Sequence, residues 1–161
     1  MQQPVYNLDA VDQQILQIMQ KKGRITNAQL AEKVGISPPA MLERVKRLEK
    51  AGVITGYSAR VDPKAVGIDI TAWISVTLSM HQLQSIDLFQ NAIHELPEVL
   101  ECYHITGEAD FLLKVVAASI SDYENFILHK LAKIPGMSKM QTTLVLSEVK
   151  NVPSIPIETT K

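Results

Sequence analysis

Two helix starts and two helix stops fall between Thr26 and Gly52, which leaves room for little but two short helices joined by a tight turn. Thr26 followed by Gln29 has the spacing of a capping box, in which each side chain satisfies an otherwise orphaned backbone N–H at a helix start. Leu30, Ala31 and Val34 then recur on one side, and Gly35 suits the left-handed residue that ends a helix. Ile36 fills the turn. Ser37 is placed to cap the next helix, and Pro38 takes its first position, where a missing N–H breaks no hydrogen bond. In that second helix Leu42, Val45 and Leu48 form the inward stripe, Gly52 marks the end, and Ala40, Glu43, Arg44, Arg47 and Lys50 look outward. So short a turn with a basic outer face describes a helix-turn-helix, whose second helix enters a DNA major groove.

The flanks extend this unit. Leu8, Val11, Ile15, Ile18 and Met19 repeat at helical spacing, with Asp9 as cap and Gly23 as stop, so a third helix completes a trihelical core. After Gly52 the run VITGYSARV alternates and is rich in β-formers, as in a wing or short strand. Asp62-Pro63 interrupts it, and Lys64 to Gly67 form a hinge.

From Ile68 the period changes to two. Ile68, Ile70, Ala72, Ile74, Val76, Leu78 and Met80 alternate with Asp69, Thr71, Trp73, Ser75, Thr77 and Ser79, the signature of a half-buried strand. Ile86, Phe89, Ile93 and Leu96 mark a helix that stops before Pro97. Val99 to Ile105 reads as a second strand, Thr106 to Ala109 as a tight connection, and FLLKVVAAS after Asp110 as a third strand apolar on both faces. Ser121 with Glu124 repeats the capping-box spacing and opens a helix that buries Tyr123, Phe126, Ile127, Leu131 and Ile134 as far as Pro135-Gly136. Lys139 to Val149 supply a fourth strand, and the tail with Pro153 and Pro156 is irregular. The junctions Leu96-Pro97-Glu98-Val99 and Ile134-Pro135-Gly136-Met137 echo each other, so the order is β-α-β twice.

The fold class is therefore α+β, a winged helix-turn-helix followed by a ferredoxin-like βαββαβ sandwich. The boundaries are 1–52 for the helix-turn-helix domain, 53–67 for wing and hinge, 68–150 for the sandwich and 151–161 for the tail. Helices cover one sheet face only. The other carries Trp73 and half of an apolar strand, and a second copy of the domain is its natural cover. A homodimer also sets two reading helices on half-sites about one helical turn apart.

Charge is distributed accordingly. The 161 residues carry a net charge of −1, yet residues 1–60 sum to +4 and the remainder to −5, as expected of a DNA-binding module joined to something different. A hydrophobic share of 46% is ample for packed cores. A lone cysteine, Cys102, rules out an internal disulfide framework and fits a reducing cytosol, and the N-terminus shows no secretory pattern. No apolar run reaches the ~18 residues of a membrane span. The expectation is a cytoplasmic protein with no membrane partner. Cys102 and His104 share a strand face, but His81, His94 and His129 are scattered, so no metal site is expected. Nor does a catalytic motif appear.

LDAVDQQIL (8–16), ISPPAMLERVKRLEKAGVITGY (36–57), TGEADFLLKV (106–115) and LVLSEVK (144–150) together resemble the Lrp/AsnC family, the feast/famine regulators of bacteria and archaea. The resemblance covers about residues 8 to 150 and identifies the sandwich as the RAM domain. It implies a transcriptional regulator that binds double-stranded DNA, forms dimers that commonly assemble into octamers, and needs no cofactor beyond an amino-acid effector held between dimers. It implies DNA contacts from Ser37, Pro38, Met41, Arg44, Arg47, Lys50 and Arg60. Pro38-Pro39 departs from the family's usual single proline and removes a possible phosphate donor. The effector pocket it implies comprises Thr106, Gly107, Glu108 and Asp110, with Thr142 and Thr143 approaching from the last strand. Siroheme decarboxylases share the architecture, but residues 68–150 contain no arginine to hold a polyacid.

Overall fold

The computed structural model describes residues 6–79 and 83–157, apart from the side chains of residues 83–85. Met80 and His81 lie outside the described residues. The chain divides into two compact units: one takes in the chain up to Arg60 and again from Lys150 onward, and the other is Val61–Val149.

The first unit is the trihelical core. Helix α1 (Ala10–Lys21) starts where the Asp9 carboxylate accepts the Asp12 N–H at 2.7 Å. Helix α2 (Asn27–Val34) carries the full Thr26–Gln29 capping box, and Gly35 closes it at φ 79°. Ser37 Oγ accepts the Ala40 N–H to start α3 (Pro38–Lys50). Ile15, Leu16, Leu30, Ala31, Met41, Val45 and Leu48 pack as one cluster.

Three expectations change here. The inward stripe of α3 is Met41, Val45 and Leu48, with Met41 fully buried and Leu42 39% exposed. Positions i, i+4 and i+7 lie close together on a helix of 3.6 residues per turn, and Leu42 is displaced from them by ~100°. The segment after Gly52 forms no strand among the described residues, so no wing is paired here. Instead Val53 and Ile54 turn back, both N–H groups donating to Leu48 O, and Tyr57 Oη donates to Glu49 Oε1 at 2.8 Å. The tail, although irregular, belongs to this unit. Gln17 Nε2 donates to Ile157 O at 2.8 Å, Gln20 exchanges two hydrogen bonds with Ile155, and Ile157 packs on the core.

The second unit is a four-stranded antiparallel sheet of order β2-β3-β1-β4, built from β1 (Ile70–Leu78), β2 (Val99–His104), β3 (Phe111–Ala117) and β4 (Met137–Leu144). With α4 (Leu83–His94) and α5 (Ile120–His129) it has the βαββαβ order. Alternation on β1 and β3 sends Ile74, Val76, Leu78, Phe111, Leu113 and Val115 into a core shared with Phe89, Ile93, Phe126, Leu131 and Ile134. Phe89 and Phe111 pack at a 37° tilt with ring centroids 4.7 Å apart. Helix α5 starts two residues earlier than the Ser121 signature implies. Ser119 Oγ accepts the Asp122 N–H, and Leu131 and Ile134 reach the core from a 3₁₀ turn beyond the helix. Both serines have an acidic residue three places on, and Ser119 is the one that caps.

On the opposite sheet face, register aligns Glu101, Lys114, Trp73 and Thr143 in one row across all four strands. Lys114 Nζ lies 2.9 Å from Glu101 Oε1 and 5.9 Å from the Trp73 ring centre. The Tyr103 hydroxyl, then Lys114, hold the Glu101 carboxyl below its ordinary range.

Candidate DNA-binding and effector sites

Helix α3 is the sequence's reading helix, and its arginines are already partnered. Arg44 Nη1 sits 2.6 Å from Asp9 Oδ2 and 2.8 Å from Asp12 Oδ1, while Arg47 Nη2 lies 3.0 and 3.1 Å from the two oxygens of Asp12. The Asp12 side chain is 1% exposed, those of Arg44 and Arg47 27% and 51%. A buried carboxylate needs compensating charge, and two guanidinium groups from α3 supply it. The Asp12 N–H and then the Arg44 side chain hold the Asp9 carboxyl below the usual carboxylate range, and Arg44 is raised in turn. Arg44 therefore clamps α3 to α1 through Nη1, and Arg47 joins it through Nη2. Met41 is fully buried in the apolar cluster and offers no surface to a ligand in this chain.

Ser37, Pro38, Lys50 and Arg60 are exposed, as their proposed roles require. The Ser37 hydroxyl caps α3, and Arg60 donates to Asn151 O at 3.4 Å. At ~100° per residue, Lys50 and Glu43 stand farthest from the buried stripe, and Lys46 is exposed on the same outer side. Lys46 is absent from the contacts the sequence suggests, because Arg44 and Arg47 dominate its row of basic residues. Its contact to Glu43, 3.7 Å between two exposed groups, is weak.

In the second unit the β2–β3 connection is a closed loop. Ile105 N–H donates to Asp110 O, Asp110 N–H to Val76 O, and Asp110 Oδ2 accepts the Leu78 N–H at 2.7 Å. Asp110 thus fastens the loop to the end of β1. Thr106, Gly107 and Glu108 stand exposed on it, with Gly107 at φ 124°, where a side chain would strain the backbone. The Glu108 carboxylate bonds to nothing among the described residues. Thr142 and Thr143 do not join this group within one chain. They pair with Ile74 and Trp73, four or more residues back along β1 from Leu78, ~13 Å at the strand rise. They also face opposite ways: Thr142 Oγ1 bonds Tyr123 Oη at 2.6 Å on the helix side, and Thr143 lies in the open-face row.

Cys102 and His104 lie on the edge strand β2, where His104 stacks on Phe111 and burial pushes the Cys102 thiol up. Among the described residues no cluster of three or more His, Cys, Asp or Glu could hold a metal, and no helix is long and apolar enough to cross a membrane.

A capped helix-turn-helix unit followed by an antiparallel sandwich with an exposed loop defines a class: a DNA-binding module attached to a ligand-binding one. Comparison with known proteins agrees for both parts. Residues 8–55 match the model for winged helix-turn-helix DNA-binding domains, and residues 71–155 that for the Lrp/AsnC ligand binding domain. The transcriptional regulator AzlB of Bacillus subtilis is 39% identical over 151 residues, 94% of this chain and 96% of that protein. The leucine-responsive regulatory protein of Escherichia coli is 35% identical over 156 residues, 97% and 95% of the two chains. A Neisseria meningitidis transcriptional regulator solved with L-methionine superposes with a TM-score of 0.89 at 35% identity, covering 93% of this chain and 97% of its own. The chain belongs to the Lrp/AsnC family and is a DNA-binding transcriptional regulator of that type.

Proposed function

We propose that this regulator is switched by a free amino acid with an apolar side chain, seated at the β2–β3 loop. The observation that carries the reading is the loop itself, shaped in advance by Asp110 and leaving the Glu108 carboxylate without a partner among the described residues. A zwitterion needs an acceptor for its ammonium and N–H donors for its carboxylate, and Glu108 beside a glycine turn offers both. Because Asp110 is occupied in holding the loop, Glu108 is the better ammonium partner. The neighbour solved with L-methionine and the relative named for leucine point to the same ligand class.

The regulator acts in the cytoplasm as homodimers that assemble further, up to the octamer. Leu146 and Val149 are 98% and 96% exposed in the single chain, and Trp73 lies half-buried on the sheet face opposite the core. A dimer brings a second reading helix, and contact between dimers could gather Thr142 or Thr143 toward the loop, which one chain does not. On the duplex, Ser37, Pro38, Lys46, Arg47 and Lys50 make the α3 contacts, with Arg60 near phosphates.

Titration calorimetry with L-methionine and L-leucine tests the effector. The wild type should bind at least one, and Glu108→Gln should weaken it ~10-fold or more, the loss of one charge-assisted hydrogen bond. Failure of both amino acids to bind, or unchanged affinity in the variant, would overturn the assignment.

A further inference from the structure

We propose that a basic hollow at the corner of α1 and α2 is a second seat for the DNA backbone, apart from α3. The inference rests on the DNA-binding reading and deepens it. Lys22, Arg24 and Lys33 line one concavity of about 480 Å³ together with Ile25, Gln29 and Glu32. All three cations are exposed, and none makes an ion pair or side-chain hydrogen bond among the described residues. They differ in this from the arginines of α3, whose charge is largely met by Asp9 and Asp12.

Three unpartnered cations around one hollow, opposed by the single carboxylate of Glu32, make a site for a polyanion. Arg24 presents a planar fork that fits phosphate oxygens in pairs, and the two lysines add point charges. The hollow borders the start of α2, where the partial positive end of the helix adds in the same sense. Phosphate of a duplex fits better than a free nucleotide: among the described residues no aromatic side chain lines the hollow to stack a base, and Ile25 is the only apolar member. The three cations also lie within the segment that matches DNA-binding modules, residues 8–55. In a helix-turn-helix the helix before the reading helix crosses the backbone, which brings this corner to the phosphates.

The test is fluorescence anisotropy with the full-length protein across a salt series. It uses the duplex the protein selects from a random pool and a scrambled duplex of equal length. The triple variant Lys22→Ala, Arg24→Ala, Lys33→Ala should lose affinity for both duplexes by the same factor. Its plot of log affinity against log salt should be shallower by ~2–3, about one for each phosphate no longer neutralised. Glu32→Gln should move affinity the other way. Neither variant removes a packed or bonded side chain, so thermal midpoints should match the wild type.

Equal affinity and slope in wild type and triple variant would overturn the proposal. So would a loss confined to the selected duplex at unchanged slope, which belongs to base reading. A wild type that bound no duplex at low salt would sink the DNA reading along with it, whereas wild-type binding with silent variants would sink the hollow alone.

Discussion

The two units spend their charged residues differently. In the helix-turn-helix unit a buried carboxylate, Asp12, sits at the edge of the apolar cluster, and two guanidinium groups cross from α3 to reach it. In the sandwich the core contains no charge among the described residues, and Glu101 and Lys114 pair on the open sheet face instead. An ion latch is directional and fixes the angle of one helix on another, whereas apolar packing supplies most of the stability with less geometric demand. The reading helix is held by both, its Met41, Val45 and Leu48 packed in the apolar cluster and its arginines latched to α1. The sensor, whose loop must accept a ligand, hangs from a core held by the second.

Three substitutions and one change of condition probe this difference, in decreasing order of effect. Phe111→Ala should destabilise the sandwich by about 3–5 kcal/mol, because a residue 1% exposed and packed against the Phe89 ring leaves a cavity. Chemical denaturation should show the loss in the sandwich alone, and a simultaneous collapse of both units would deny their independence. Asp12→Ala should cost the helix-turn-helix unit about 2–4 kcal/mol, the figure for a broken buried pair reduced because both arginines are partly solvated. A variant as stable as the wild type would show the latch to be ornamental.

Acid should act on the latch in a defined window. The Asp9 carboxyl is lower in the folded state than in the unfolded chain, so its contribution is complete above the ordinary Asp value of about 3.9. It is lost as pH falls through the folded value. Proton titration by NMR should find Asp9 depressed, and an unshifted carboxyl would remove it from the latch. Last and smallest, Lys50→Ala should leave stability unchanged and lower the salt slope of duplex binding by ~1. An unchanged slope would place Lys50 away from phosphate.

Much of this architecture is legible in local pattern. The Thr26–Gln29 box, the Ser37-Pro38 start and the two-residue alternation of β1 involve neighbours only a few residues apart, and each appears where expected. The departures are of two kinds. One is phase: Met41 and Leu42 are both apolar, and only the packed core decides which faces inward; Ser119 and Ser121 pose the same problem. The other is long range. Arg44 and Arg47 meet Asp12 across more than thirty residues, and Ile155 and Ile157 return to Gln20 and Gln17 from the far end of the chain. One signal does stand in the sequence, since Asp12 falls on the apolar stripe between Leu8 and Ile15, where a carboxylate requires a partner. Family resemblance places Thr142 and Thr143 together at the effector loop, although adjacent strand residues must face opposite ways.

Whether an amino acid bound in one unit governs DNA binding by the other is decided by linked titrations. Duplex affinity is measured with and without saturating amino acid, and amino-acid affinity with and without saturating duplex. Binding free energies are reciprocal, so a coupled regulator shows the same factor of change, other than one, in both. Two affinities each indifferent to the other ligand would contradict the coupling.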